Sequence, residues 1–188
     1  MSNEILSDRR KALEEAFFAK HNEMLRRRLT ESDQLRARRD SFVAISGITD
    51  DAVLDQLVKL DITPDTLAAL SLVPLIAVAW ADGALDARER AAVLAGAEEA
   101  GLNPADPSHQ LLDQWLTARP PAALLATWKS YIAAITGSLD DAAKTALRTK
   151  LLSRARTVAE ATGGFLGLGR TVSAEEEAVL ASLARTFG

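Results

Sequence analysis

The sequence predicts an all-α fold, a compact helical bundle with a long helical arm at its N-terminus. Apolar residues recur at spacings of three and four, and alternating β-branched runs are few. Hydrophobic residues make up 48% of the 188 residues but aromatic residues only 5%, so Ala and Leu must fill most of the core. Ser, Thr and Asp repeatedly precede the apolar-periodic runs, as N-cap residues do.

The first predicted element is a charged helical arm over residues 1–46. Four apolar residues follow one narrow stripe at spacings of seven, four and seven: Leu6, Leu13, Phe17 and Met24. A basic run follows at Arg26, Arg27 and Arg28. Residues 1–40 carry ten Lys/Arg against eight Asp/Glu, a net +2, which leaves −6 on the remainder. The arm is either a solvated helix with one edge on the body, or it binds a protein partner or a second copy. On the second interpretation, the contacts come from Leu13, Phe17, Met24 and the three arginines.

A connecting helical pair is predicted over residues 47–71. Gly47 ends the arm, Thr49 caps a helix to about Leu60, and Thr63-Pro64 starts a shorter one. A DNA-binding helix-turn-helix is excluded because Pro64–Leu70 holds no Lys or Arg for phosphate contacts. No nucleic-acid partner is therefore expected.

The most apolar stretch, Ser71 to Ala81, holds no charged residue and no polar face. It predicts a helix buried on all sides, capped by Ser71, with Pro74 in its first turn. The stretch is too short for a membrane span of about 20 residues, so no transmembrane segment is expected.

An acidic turn follows this helix. Asp82-Gly83 can end one helix, while Asp86 caps the next and Glu89 completes a capping box. Asp-Gly-x5-Glu is also the second half of a calcium-binding loop, but its first ligand positions would be Val78 and Trp80. A working EF-hand is thereby excluded, which leaves capping alone or a site where clustered carboxylates bind a divalent ion.

The remaining elements are helices with clear breaks. One starts at Asp106-Pro107, with His109 expected to be exposed, and Pro120-Pro121 breaks it. The next ends at Gly137, and Ser138 caps a long helix to about Ala161. A glycine-rich connection, 163–169, lacks the Gly-Lys-Ser/Thr of a phosphate loop, and Ser173 caps the last helix. Trp115 and Trp128 are predicted as core anchors.

The motif Ala-Trp-Ala-Asp-Gly-x-Leu-Asp-x-x-Glu-Arg at 79–90, followed by a Val/Leu-rich helix and Gly101-Leu102, resembles the tellurite-resistance TerB-like family. A second copy of the helix start, from Val172 to Ala178, aligns with Leu85 to Ala91, although Gly169-Arg170 stands in place of Asp-Gly. The resemblance implies a TerB-like helical domain over 72–188, a role in stress response, and a divalent metal (Ca, Mg, Mn or Zn) on acidic residues. The predicted ligands are Asp82, Asp86, Glu89 and Glu176.

The N-terminal segment Asp8–Phe17, with Ala37-Arg38-Arg39 beyond it, resembles the start of the zeta-type inhibitor of bacterial ATP synthase. That resemblance implies a regulatory or inhibitory subunit whose basic helix docks on a larger complex, such as a membrane-associated ATPase. If the chain docks on such an ATPase, it would be peripherally associated with a membrane complex.

An enzyme is not expected, because the chain has no Cys, no serine-nucleophile motif and only two distant His. A divalent-metal hydrolase built on the four carboxylates is the remaining catalytic alternative. The start Met1-Ser2-Asn3-Glu4 lacks the basic-then-apolar pattern of a signal peptide, so a cytoplasmic location is expected. The preferred prediction is a stress-associated or regulatory module that acts through protein contacts.

Overall fold

The computed structural model describes residues 2–161 and 172–187, and it describes side chains from residue 20 onward. The described residues are helical or lie in turns, with no strand among them, which confirms the all-α prediction. The chain divides into two compact units, Met1–Ser41 and Phe42–Gly188. The glycine-rich connection 163–169 lies outside the described residues.

One long helix, α1, spans Ser2–Ser46. It makes up the described part of the first unit, and its last five residues belong to the second unit. Arg27 Nε donates to Glu31 Oε1 at 2.9 Å across one helical turn, an exposed pair that contributes only a few tenths of a kcal/mol. Among the described side chains of this unit, four large apolar ones are exposed: Met24, Leu25, Leu29 and Leu35. The side chains of Leu6, Leu13 and Phe17, which belong to the predicted stripe, lie outside the described residues.

The second unit contains seven α-helices and two 3₁₀ segments among its described residues. They are α2 (Asp51–Lys59), a 3₁₀ segment (Pro64–Leu72), α3 (Val73–Ala79), α4 (Ala87–Glu99), α5 (Pro107–Thr117), α6 (Ala123–Thr136), α7 (Asp141–Ala161), α8 (Ala174–Ala184) and a 3₁₀ turn (Arg185–Phe187).

Helix α3 lies at the centre of this unit and packs against α4, α6, α7, α8 and the 3₁₀ segment. Its side chains are buried except for Ala77, which is half-buried. The predicted central core helix is therefore confirmed, because a helix without a polar face has nowhere else to lie.

Three helix starts differ from their predicted positions. Asp50, not Thr49, caps α2, and its carboxylate accepts the N–H groups of Ala52 and Val53. Asp140 Oδ1, not Ser138, accepts from the first turn of α7. Ser71 does not cap α3, because the chain is already in a 3₁₀ helix there and its Oγ donates to a carbonyl of that segment. A carboxylate at a helix N-terminus also gains from the helix dipole, which a hydroxyl does not.

The second unit begins at Phe42, four residues before the predicted end of the arm at residue 46. Phe42 is fully buried in the core, and Ile48 joins it. Helix α2 packs on α6, and the 3₁₀ segment packs on α5. Residues 47–71, predicted as a connecting pair, therefore contribute core contacts within the same unit as residues 72–188.

His109 was predicted to be exposed, and that prediction is wrong. The side chain is only 9% exposed, and its Nδ1 lies 3.5 Å from Asp113 Oδ2 on the next turn of α5. The reason is long-range packing: α5 lies against the 3₁₀ segment, and Ser108 Oγ donates to the Asp65 carbonyl there. Trp115 and Trp128 are buried as predicted, whereas Trp80 is half-buried.

None of the described helices is by itself long and apolar enough to cross a membrane. Two neighbouring segments, Asp51–Lys59 and Pro64–Ala79, would be long and apolar enough if they were taken together, but the chain bends by 91° between them. This statement concerns their length and composition alone.

Candidate functional site

The acidic turn between α3 and α4 has the backbone that its sequence predicts. Gly83 has φ +97°, a conformation that strains any residue with a Cβ. Its N–H donates to the Trp80 carbonyl at 3.2 Å, which closes the end of α3. Asp82 Oδ1 accepts the Ala84 N–H at 3.0 Å, and this exposed hydrogen bond stabilises the turn.

A capping box starts α4. Asp86 Oδ1 accepts the N–H groups of Arg88 at 2.7 Å and Glu89 at 2.8 Å. In return, the Asp86 N–H donates to Glu89 Oε2 at 2.8 Å. The capping interpretation of the motif is therefore confirmed, and it satisfies backbone donors that the helix itself leaves unpaired.

The second copy of the motif forms the same device at the start of α8. Ser173 Oγ accepts the Glu176 N–H at 3.1 Å, and the Ser173 N–H donates to Glu176 Oε2 at 2.6 Å. Glu176 is 4% exposed, and its other oxygen, Oε1, is buried without a hydrogen-bond partner. A buried carboxylate oxygen without a donor is costly, so the capping box alone does not account for this atom.

Glu89, in the capping box of α4, is affected by the negative charge of Glu176, in the capping box of α8. Glu89 is 4% exposed, and burial raises its pKa from 4.5 to about 7. The hydrogen bond from the Asp86 backbone opposes that rise, while the negative charges of Asp86, Asp82 and Glu176 add to it. The four residues predicted as metal ligands therefore lie in one electrostatic neighbourhood.

The donor set fits a hard cation better than a soft one. One oxygen of each carboxylate is engaged in capping or in the turn, which leaves a second oxygen on each. Oxygen ligands suit Ca²⁺, Mg²⁺ or Mn²⁺, whereas Zn²⁺ prefers the Cys and His that this neighbourhood lacks. In the part of the chain that the structure describes, no group of three or more His, Cys, Asp or Glu is arranged to hold a metal ion.

Two side chains of the motif fix the turn against the end of α5. Trp80 Nε1 donates to the Trp115 carbonyl at 2.9 Å. Arg90 donates to the Leu116 carbonyl at 3.2 Å and to Asp113 Oδ1 at 3.0 Å. Sequence patterns do not indicate these contacts, because two of the three acceptors are backbone carbonyls far along the chain.

The predicted partner-binding residues that the structure describes are exposed. Met24 is 49% exposed, and Arg26, Arg27 and Arg28 lie at the surface. Leu25, Leu29 and Leu35, which the predicted stripe omitted, are 44–64% exposed. These three residues do not follow the spacing from Leu6 to Met24. Their exposure in the structure, and not their position in the sequence, identifies them as part of the apolar surface of α1.

Comparisons of this chain with protein-family models, characterised proteins and solved structures find no match. The resemblances to the TerB-like family and to the ATP synthase inhibitor therefore stay predictions.

Proposed function

We propose that this chain is a non-enzymatic, stress-associated regulatory module of TerB-like type that acts by binding a protein through α1. The observation that carries the proposal is the set of apolar side chains that α1 leaves in water between residues 20 and 41. Met24, Leu25, Leu29 and Leu35 are each more than two-fifths exposed. A helix gains most of its stability by packing an apolar surface on something, and closely spaced exposed apolar residues are typical of contact sites.

The charge of α1 indicates what kind of partner it binds. Arg26, Arg27 and Arg28 are exposed in a segment of net positive charge. Among the described side chains, Arg27 of these three lies at ion-pair distance from an acidic residue, Glu31, one turn along the helix. An acidic protein surface complements this run, and attraction between exposed charges weakens as salt is added.

A divalent cation at the acidic turn is the proposed modulator. Support comes from the negative charges of Asp86, Asp82 and Glu176, which act on Glu89, and from the unpartnered Oε1 of Glu176. Burial is the main cause of the raised Glu89 pKa, and a bound cation would offset the smaller part that comes from neighbouring negative charges. It would also hold the starts of α4 and α8 together. Asp82, Asp86, Glu89 and Glu176 are the proposed ligands, with Ca²⁺, Mg²⁺ or Mn²⁺ as the ion. The ion would have to draw these side chains together, because no three of them form a ready-made metal cluster in the described structure.

The proposal is tested on the full chain with paired substitutions. Leu25→Ser/Leu29→Ser removes apolar contact area from α1, and both positions are already exposed, so the helix should persist. Ile45→Ser also exchanges an exposed apolar residue for Ser, at a position that is 61% exposed at the C-terminal end of α1, outside residues 20–41. Affinity purification and light scattering should show a partner, or a second copy, with the natural chain and with Ile45→Ser. The double variant should lose it.

Equal recovery and equal molar mass for the double variant and the natural chain would contradict binding through α1.

The exposed arginine run also favours a second candidate, an inhibitory subunit that docks on a larger complex such as a membrane-associated ATPase. The chain would then lower the ATP hydrolysis of the isolated complex, and added salt would relieve the inhibition. Arg26→Gln/Arg27→Gln/Arg28→Gln should abolish it. No effect of the natural chain on hydrolysis would exclude this candidate and leave the first intact.

A further inference from the structure

A cleft of about 230 Å³ opens beside the acidic turn. Val73, Ile76 and Trp80 of the α3 region form one side, and Leu124, Leu125 and Val179 from α6 and α8 face them. The loop that joins α5 to α6, Arg119-Pro120-Pro121, forms the rim. Apart from Arg119, every residue that lines the cleft is uncharged, and nearly all are apolar.

The walls of this cleft are held in place. The Trp80 indole is fixed by its 2.9 Å hydrogen bond to the Trp115 carbonyl, so the ring cannot swing into the space. Consecutive prolines fix two φ angles in the rim loop. A cavity that is formed before a ligand arrives avoids the entropic cost of ordering it on binding.

Arg119 is the charged residue in the lining of this otherwise apolar cleft. The side chain is exposed, and it forms neither an ion pair nor a hydrogen bond with any residue in the described ranges. Its guanidinium lies next to the acidic turn, because a Cβ built on Gly83 would be 3.8 Å from Arg119 Nη1. By contrast, Arg90, Arg154 and Arg156 each lie within 4.0 Å of a carboxylate.

We propose that the cleft binds a small apolar carboxylate, with the apolar group between α3 and α6 and the carboxylate on the Arg119 guanidinium. The volume equals roughly eight water-sized groups at about 30 Å³ each, which suits a branched or aromatic acid. A planar guanidinium matches a carboxylate with two parallel hydrogen bonds. The cleft offers one cation, and that cation lies next to Gly83 of the acidic turn, so a monoanion fits better than a phosphate dianion.

The same chemistry occurs in a free acid and in the last residue of a peptide, which carries an apolar side chain next to its α-carboxylate. The two sources differ in what extends beyond the carboxylate-bearing carbon, and titration separates them. This inference is independent of the proposed role of α1, so either can fail alone.

The test is a titration of the ¹⁵N-labelled full chain, followed by NMR, with phenylacetate and 4-methylpentanoate. Matched amides, phenylacetamide and 4-methylpentanamide, serve as uncharged controls. A second arm uses one short peptide ending in Leu, with either a free α-carboxylate or an amide. The chain has three Trp, so three indole N–H signals report the outcome, and the signal of Trp80 should shift with saturation.

The carboxylate should bind about tenfold or more tightly than its amide, as expected for a charge-assisted contact. Arg119→Gln should abolish that preference, whereas Arg148→Gln, the same change at an exposed position outside the cleft, should keep it. Ala77→Leu, at the half-buried residue that lines the cleft, should reduce binding of acid and amide alike. A melting curve confirms that each variant is folded.

Saturation by the free acids supports the proposal with a metabolite-sized ligand, and saturation only by the free-carboxylate peptide supports it with a polypeptide C-terminus as the ligand. Equal binding of acid and amide, an unchanged preference in Arg119→Gln, or no shift of the Trp80 indole in either arm would overturn it.

Discussion

Replacing Glu89 by Gln should make the stability of this protein less dependent on pH. Glu89 is buried at the start of α4, and its pKa is raised from 4.5 to about 7 in the folded chain. The folded state therefore binds this proton more tightly than the unfolded state. Stability contributed by this group is present at low pH and is lost as pH rises from about 4.5 to about 7.

The magnitude follows from the two pKa values. Each pKa unit corresponds to about 1.4 kcal/mol, so ionising Glu89 costs roughly 3 kcal/mol of folding free energy above pH 7. Gln cannot ionise, yet its side-chain oxygen can still accept the Asp86 N–H that Glu89 Oε2 now accepts at 2.8 Å. Glu89→Gln should therefore be more stable than the natural chain by up to about 3 kcal/mol at pH 8, and equal to it within about 1 kcal/mol at pH 5.

Urea unfolding at pH 5, 6, 7 and 8, followed by Trp fluorescence with a chelator present, measures this difference. Glu98→Gln makes the same chemical change at an exposed position of α4, and it should alter stability by less than about 0.5 kcal/mol at every pH. If Glu89→Gln is destabilised at pH 8, or if its stability changes with pH in parallel with that of the natural chain, burial and neighbouring charges do not raise the pKa of Glu89 as inferred.

Three other substitutions follow from the packing and the turn. Trp128→Ala empties a fully buried site and should cost about 3–5 kcal/mol in chemical denaturation; a cost below about 1 kcal/mol would contradict its role in the core. Gly83→Ala forces a Cβ into φ +97° and should lower the melting temperature by more than Ala84→Gly does on the same turn; unchanged melting would contradict the turn geometry. Calorimetry should detect Ca²⁺, Mg²⁺ or Mn²⁺ binding that disappears in Asp82→Ala/Glu89→Ala. No heat from the natural chain at millimolar metal would restrict these carboxylates to capping.

The features that the sequence predicted well are those encoded within a few residues. The capping boxes at Asp86 and Ser173 need only a side chain and a partner three residues on, and the uncharged run around α3 leaves no alternative to burial. Helix starts at Thr49 and Ser138 moved to adjacent or nearby Asp residues because several side chains in one turn compete for the same N–H groups.

The features that the sequence did not reveal depend on distant partners. His109 is buried because α5 lies on a segment more than 30 residues earlier in the chain. The cleft beside Arg119 is assembled from α3, the loop between α5 and α6, α6 and α8, and no local pattern indicates that these elements meet. The electrostatic link from Glu89 to Glu176 was expected only through the internal repeat of the motif, since nothing local indicates which carboxylates meet.

The most direct test of the central claim places a photo-crosslinking amino acid at Leu29 of α1, in the native host. Leu29 is 64% exposed and lies next to the basic run, so irradiation should give one discrete adduct with a partner protein or with a second copy. The same amino acid at Lys150, exposed on α7, is the control and should give none. Absence of an adduct at Leu29, or the same adducts at both positions, would contradict a contact surface on α1.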